Sequence, residues 1–500
     1  MSTIRRQSII SSVIVYFGFA LGFLNTYLFT RKGGFTESEY GLTSMFIAMA
    51  NIMYAVASLG MPNFIHKFFP YYKSHLPPKQ NDLLAWALLL PLLGFLVVTG
   101  AGMAFKSVLI DKIFANSPLL PQYYYWIFPF GLGWTIFLVM EAYAWQQRQA
   151  VLSNFLKEVL FRLFTTVLIV LTTVGIITKF DYFIKLYAFL YLLLAGILIA
   201  YFIQKHQFHL TLKVSKVTRR FKEKIVTLSS FVWGGGLVYH VANVFDTIVL
   251  TAVLPNGLAI AGVFTLAQNI ASLIQAPQRA IISSSLGPLS QAWKEKDYER
   301  IQRIYQRSSI NQLLFSTAMF CLIWLNFRDG VYTFGLKESY LVAESAFFFI
   351  GLTRIVDMGT GLNSQIIGTS TFWRFEFITG LILLAVALPL NYTLTRYLGV
   401  TGPAVANLVA FTVYNAIRFV FLYRKFGMQP FSAKSAYTLL LAAGAFYVTY
   451  LLFHGQQGLQ WIMLRSAVFV TLFGAGTWML NLTPDLAPVL ETLRKRLKRQ

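Results

Sequence analysis

The sequence predicts an all-α polytopic membrane protein with about 14 transmembrane helices. Three observations carry that expectation. Apolar runs about twenty residues long recur from residue 8 to residue 482, separated by short polar or basic connections; a helix of that length rises ~30 Å, the thickness of a hydrocarbon core. The chain is 56% hydrophobic and 12% charged, too little polar material to solvate a water-soluble surface of 500 residues. Basic residues concentrate in alternate connections, as the positive-inside rule requires of a multi-pass chain.

The first span, Ser8 to Thr30, follows Arg5 and Arg6 and runs past twenty residues without a small-residue cleavage site, so it reads as a span and not a signal peptide. Gly41 to Gly60 completes an opening hairpin. Leu83 to Phe105 and Tyr124 to Trp145 follow, the latter carrying Glu141. Phe155 to Thr178 holds Glu158 and Arg162, and Tyr182 to Ile203 is the sixth span. The longest basic connection, Lys205 to Lys224, leads to Val226 to Leu254, which carries Asp246 and is interrupted by Gly234, Gly235 and Gly236. Leu258 to Ala280 comes next, with Pro277 and Pro288 marking its end. Asn311 to Val331 precedes Leu341 to Ile367, which holds Arg354 and Asp357. Phe377 to Tyr397 and Val400 to Leu422 complete a second set of six, and Ala433 to Phe453 with Trp461 to Leu482 form an additional hairpin. In the tail, Leu486, Val489, Leu490, Leu493 and Leu497 lie opposite Arg494, Lys495, Arg496, Lys498 and Arg499, the pattern of a short amphipathic helix on the inner headgroups.

Arg5, Arg6, the 205–224 connection, Lys294 to Arg307 and the tail fall on one side, which places both termini in the cytoplasm and requires an even number of spans. The formal charge of +23 therefore reads as topology determinants against anionic lipid, with no nucleic-acid partner implied. Cys321 is the single cysteine, so no intrachain disulfide and no cysteine-built metal site can form. His66, His75, His206, His209 and His454 read as loop residues and His240 stands alone on its span, leaving no metal or histidine-based catalytic cluster. There is no Walker A lysine motif, which argues against an ATP-driven pump, and no cofactor is implied.

Sliding the chain by 221 residues superposes the first two spans on the seventh and eighth without a gap: Ile4 falls on Ile225, Ser8 on Ser229, Thr26 on Thr247, Thr30 on Thr251, Gly41 on Gly262 and Ala50 on Ala271. Both copies cross outward from a basic segment, turn and return, so the repeat is parallel, about an axis along the membrane normal. The expected organisation is an N-lobe at 1–204, a basic linker at 205–224, a C-lobe at 225–425, an extra hairpin at 433–482 and a basic tail at 483–500. Two similar lobes around a central cavity are the architecture of an alternating-access carrier.

Ionisable groups at membrane depth cost about 2.5 to 3.5 kcal/mol each, so each needs a partner, a cavity or a route to the surface. Glu158 and Arg162 are four apart, and Arg354 and Asp357 three apart; each pair either neutralises itself within its helix or lines a polar cavity. Asp246 has only Ala242, Asn243, Phe245 and Leu250 around it on its own helix and needs a cation from elsewhere, water, or a bound proton or Na+. The repeat places Asn25 at the equivalent position. Glu141 has no partner three or four residues away and is a second cavity candidate. Arg418, about 9 Å from Arg424 along the helix, reads as snorkelling to the headgroups, and Arg374 and Glu376 as interfacial.

Several segments carry a resemblance to a known family. Val244-Phe-Asp246-Thr-Ile, Leu254-Pro255-Asn-Gly, Ala261-Gly262-Val-Phe-Thr-Leu-Ala-Gln268-Asn269-Ile, Pro288-Leu-Ser290 and Tyr305-Gln-Arg307-Ser308-Ser309 resemble the second-lobe opening of Wzx-type polysaccharide flippases of the multidrug/oligosaccharidyl-lipid/polysaccharide exporter superfamily. Leu398-Gly-Val-Thr-Gly402-Pro403-Ala-Val-Ala406-Asn407 with Tyr414-Asn415 is similar to that family's twelfth span, and Phe29-Thr-Arg31, Glu39-Tyr40-Gly41 and Gly60-Met-Pro62 to its opening hairpin. The resemblance covers most of residues 1 to 432. It implies a non-enzymatic flippase that moves an undecaprenyl-pyrophosphate-linked oligosaccharide across the bacterial inner membrane for surface polysaccharide synthesis, in contact with membrane lipids and a polysaccharide polymerase. Peptidoglycan-precursor flippases of the superfamily have an Arg-Asp pair after Leu-Gly-Phe in the first span, where this chain has Leu21-Gly22-Phe23-Leu24-Asn25-Thr26. That departure weakens a lipid II reading and leaves phosphate recognition to Arg162, Arg354 or Arg418, with Asn25 beside them. Asp246, Glu141 and Asp357 are the candidates for Na+ or H+ coupling. A cation-coupled multidrug antiporter, a membrane enzyme of polysaccharide assembly and a structural scaffold are the alternatives.

Overall fold

The computed structural model describes residues 3–485. Among them the regular elements are all helical, without a strand. Among the described residues nine helical stretches are long and apolar enough to cross a membrane, one of them the joined stretch Arg374–Phe426, and Ile14–Thr30 and Gly257–Ser272 are shorter apolar helices. The chain divides into two compact units, residues 1–262 and 263–500.

The first unit contains α1 (Thr3–Thr30), α2 (Glu37–Ala57), α3 (Met61–His75), α4 (Leu83–Ala104), α5 (Leu119–Tyr123), α6 (Ile127–Gln146), α7 (Ala150–Asn154), α8 (Phe161–Thr173), α9 (Phe180–Gln204), α10 (Lys216–Val253) and the start of α11 (Gly257–Ser272). A capping box starts α2: the Thr36 hydroxyl accepts from the Glu39 N–H at 3.2 Å, and the Glu39 carboxylate accepts from the Thr36 N–H at 2.7 Å. The segment after α2, expected as a loop, is instead the amphipathic α3. Met61, Phe64, Ile65, Phe68, Phe69 and Tyr72 recur at helical spacing and are buried, which places His66 and His75 on a helix. Phe183, Tyr187, Phe130 and Tyr191 form an aromatic ladder that packs α6 on α9.

Helix α10 begins ten residues before the expected seventh span. Ser215 caps it, and the fully buried Asp82 accepts from the Ser215 N–H at 2.9 Å and the Thr218 hydroxyl at 2.7 Å. That anchoring turns much of the expected linker into helix. The helix also runs unbroken through Gly234–Gly236, where a Cβ on Gly234 or Gly236 would meet nothing within 4 Å among the described residues. Trp233 donates to the Ala55 carbonyl at 2.8 Å, so α10 packs on α2 inside the first unit, while the repeat assigns it to the second lobe. Compactness and repeat thus divide the chain at different points.

Within this unit α2 and the start of α11 cross with backbone against backbone. A Cβ on Gly41 would stand 1.8 Å from the Leu258 carbonyl oxygen, and one on Gly262 would stand 2.3 Å from that of Glu37. Glu37 pairs with Leu258, and Gly41 with Gly262, at the same offset of 221 residues that relates the repeat copies. Such reciprocity is what a local twofold through the crossing produces.

The second unit contains α12 (Gln278–Glu295), α13 (Tyr298–Thr333), α14 (Ala343–Gly359), α15 (Asn363–Thr369), α16 (Trp373–Leu398), α17 (Gly402–Phe426), α18 (Ala433–Leu452) and α19 (Leu459–Met479). The expected tenth span is broken into α14 and α15. Gly361 sits between them at φ +66, where a Cβ would come within 3.1 Å of Ser308 and Ser309. A buried cluster including Leu289, Ile301, Tyr305, Ile366, Leu422 and Met428 forms the core beneath α12, α13, α15 and α17. The hairpin α18–α19 is fastened to α13 by Arg465, which donates to the carbonyls of Leu325 (2.8 Å) and Gln456 (2.9 Å) and pairs with Asp329 at 3.3 Å. Of the tail expected as an amphipathic helix, residues 483–500, all but the first three lie outside the described residues.

Candidate functional site

Each unit carries its own buried polar cluster. In the first, α1, α6 and α8 meet at a π-helical turn, Phe155–Leu160. The widened turn opens the regular helical ladder just before Arg162. Gly18 allows α1 to lie against it, since a Cβ there would stand 2.5 Å from the Glu158 carbonyl oxygen. Arg162 pairs with Glu158 at 3.1 Å, and its guanidinium lies 5.5 Å over the Phe19 ring. Its guanidinium atoms are 3.5 Å from where a Gly22 Cβ would be, so a larger residue at 22 would compete for the space. Nη1 of Arg162 is buried without a hydrogen-bond acceptor among the described residues. Asn25, buried on α1, donates to the Arg162 carbonyl at 2.8 Å and accepts from the Thr166 hydroxyl at 2.6 Å. Helix α8 thus brings the Arg162 cation against the first span.

Glu141, without a partner on its own helix, is paired after all: Lys157 reaches it from the π turn at 3.2 Å, and Glu141 is 6% exposed. Lys157 is a site residue that a search of i±3 and i±4 neighbours misses, because its partner lies on another helix.

In the second unit, Asp357 at the end of α14 accepts from Gln278 of α12 at 3.1 Å and from Asn415 of α17 at 3.4 Å. The Asn415 side-chain oxygen accepts from Asn363 at 2.7 Å and Thr360 at 2.9 Å, tying the break between α14 and α15 to α17. Arg418 does not snorkel. It is 1% exposed, ion-paired with Glu376 of α16, and bonded to the Thr379 hydroxyl at 3.1 Å, with its guanidinium 3.6 Å from the centre of the Tyr414 ring. Glu376, expected to be interfacial, also accepts from Ser364 at 2.6 Å. The arrangement follows from desolvation, because a guanidinium at this depth is tolerated only with a carboxylate, a hydroxyl and an aromatic face around it.

Asp246 on α10 is buried to about the same degree as Asn25, 8% against 7% exposed, in keeping with their equivalence in the repeat. Arg354 is half-buried on α14, one turn before Asp357. Asp329 and Arg465 are two further intramembrane charges, and their visible signal in the sequence is a lone arginine inside the last apolar run. Among the described residues no group of three or more His, Cys, Asp or Glu side chains is placed to hold a metal ion.

No family model and no curated protein matches this sequence. Solved structures do match its fold. A lipid II flippase MurJ in an inward closed conformation superposes with a TM-score of 0.73 at 14% identity, over 94% of this chain and 98% of that one. An inward-facing multidrug resistance MATE family transporter of the MOP superfamily gives 0.61 at 16% identity over 82% and 94%. An outward-facing one gives 0.54 at 17% identity over 84% and 95%. The chain is a polytopic helical membrane protein with the fold that the MurJ flippase and the MATE transporters share.

Proposed function

We propose that this protein is an alternating-access flippase that moves an undecaprenyl-pyrophosphate-linked oligosaccharide across the bacterial inner membrane for surface polysaccharide synthesis, with both termini in the cytoplasm. The observation that carries the reading is Arg162. Its guanidinium is oriented by Glu158 and Phe19 and retains one buried N–H group without an acceptor among the described residues. Such a donor suits an anionic oxygen, and arginine keeps its charge at membrane depth while offering paired donors to phosphate. A pyrophosphate with attached sugars needs this kind of cation because ~30 Å of hydrocarbon is closed to it unaided. Arg354 and Arg418 are the further cations of the proposed path, Asn25 a neutral contact, and Asp246, Glu141 and Asp357 the candidates for coupling to Na+ or H+. The fold likeness to MurJ supports a flippase, and the absence of the first-span arginine directs the proposal away from lipid II.

The test is the leaflet distribution of undecaprenyl-linked oligosaccharide in cells depleted of the protein. Inner-leaflet accumulation that wild type reverses and Arg162→Gln does not is the expected result. Full rescue by Arg162→Gln with a normal level of surface polysaccharide overturns the assignment. The fold likeness to MATE transporters, together with buried Glu141, supports a second reading as a cation-coupled multidrug antiporter. That reading predicts unchanged lipid distribution and altered efflux of cationic dyes.

A further inference from the structure

Helices α16 and α17 carry a groove of about 540 Å³ that the flippase reading does not use. Its floor is the stacked pair Phe375 and Phe421, with ring centres 4.1 Å apart, and its walls include Ile417 and Val420. One end is closed by Arg424 and Lys425 in the last turn of α17. The negative end of the helix dipole accounts for basic residues in that turn. It does not account for an apolar channel leading away from them.

We propose that this groove binds one anionic phospholipid, its acyl chain on Phe375, Ile417, Val420 and Phe421 and its phosphate between Arg424 and Lys425. Charge and length both fit. Arg424 has no acidic partner among the described residues, and Lys425 lies 5.5 Å over the Phe372 ring at the groove's edge, so both cations remain available to a phosphate. From Ala416 to Lys425 the lining follows α17 for about 14 Å, close to the depth of one leaflet. The floor is not mobile surface, because Phe375 and Phe421 pack on the buried cluster of this unit.

The position also gives the lipid a consequence. Phe375 precedes Glu376 and Ile417 precedes Arg418, so a chain seated in the groove presses on the residues next to the buried ion pair. Occupancy thereby stiffens the pairing of α16 with α17. The inference requires only that the chain spans a bilayer and is independent of the proposed substrate.

The experiment is photolabelling of the full-length protein in phosphatidylcholine nanodiscs, using trace phosphatidylglycerol with a diazirine in its acyl chain. Peptides from α16 and α17 are then mapped. Labelling there is expected to fall roughly thirtyfold in Arg424→Gln/Lys425→Gln, about fivefold for each cation near the bilayer surface. It is also expected to vanish in Val420→Trp, which fills the channel. Equal labelling by diazirine phosphatidylcholine, or labelling that survives the double substitution, overturns the proposal and leaves ordinary annular lipid. Displacement by a polyprenyl pyrophosphate but not by unlabelled phosphatidylglycerol also overturns it, assigning the groove to a substrate tail.

Discussion

Replacing Gly41 with alanine places a methyl carbon 1.8 Å from the Leu258 carbonyl oxygen, where ordinary contact begins at 3.4 Å. The crossing of α2 and α11 must therefore open by about 1.6 Å, and by about 1.1 Å for Gly262→Ala, whose methyl would meet the Glu37 oxygen at 2.3 Å. Neither obstacle can swing aside, since both are helix backbone. Overpacking in a close-packed interior typically costs 1–3 kcal/mol, and an obstacle that cannot relax puts Gly41→Ala at the top of that range, about 3 kcal/mol. A cost of that size lowers the population of the packed crossing roughly 150-fold relative to any arrangement in which the helices part. Small residues at helix contacts are the usual means of such close approach in a membrane, where van der Waals packing has no hydrophobic effect to assist it.

The assay is thermal unfolding of the purified protein, followed by intrinsic fluorescence, with Gly100→Ala as the control because nothing lies within 4 Å of a Cβ there. The expected order of destabilisation is Gly41→Ala, then Gly262→Ala, then the control, which melts with wild type. The double variant carries the sharper test. Once the helices have parted for one methyl, much of the room for the second already exists, so the combined loss is smaller than the sum of the singles. Strictly additive losses, or Gly41→Ala melting with Gly100→Ala, would refute the reciprocal crossing.

Arg418→Met strands Glu376 without its cation and is expected to destabilise the fold by about 3 kcal/mol, whereas Arg418→Met/Glu376→Met recovers most of the loss; thermal unfolding of the three proteins checks both halves. Lys157→Met similarly leaves Glu141 buried without a counter-charge, so its melting temperature falls, and the additional change Glu141→Gln restores it. A double variant no better than the single would show that Lys157 acts through something other than charge. At the C-terminal end of the described chain, Arg307 and Asn311 hydrogen-bond Asp485 and hold its carboxyl below the usual carboxylate range. The depressed value means that this tether stabilises the folded state above the unfolded carboxyl's pKa and is lost as pH falls through the folded one. Hydrogen exchange at 480–485, corrected for intrinsic rates, should therefore lose protection as pH is lowered from neutral to below the depressed pKa of the folded carboxyl; unchanged protection across that range refutes the tether.

The helical fold was legible because apolar run length and composition act on each segment separately, and seven of the fourteen expected spans fall within a few residues of α4, α6, α9, α16, α17, α18 and α19. Where segments differ, a neighbour decides the outcome. Asp82 extends α10 upstream by capping it from 133 residues away, and α3 becomes a helix because α4, α6 and α10 receive its apolar face. Charge pairing was legible only within a helix. Glu158 with Arg162 follows from a spacing of four, but Lys157 with Glu141, Glu376 with Arg418, and Asp329 with Arg465 join different helices at sequence separations that no helical periodicity encodes. The repeat is the exception that reaches across the chain. An offset drawn from six identities, too few to stand on identity alone, aligned Gly41 with Gly262 and Asn25 with Asp246. The glycines meet backbone to backbone, and the two polar residues are buried to the same degree. Their chemistry nevertheless differs, because Asn25 is satisfied by the Arg162 carbonyl and the Thr166 hydroxyl as a neutral amide, whereas a carboxylate at the matching depth must be compensated as a charge. The two matched positions therefore carry unequal electrostatics, a neutral amide on α1 and a carboxylate on α10.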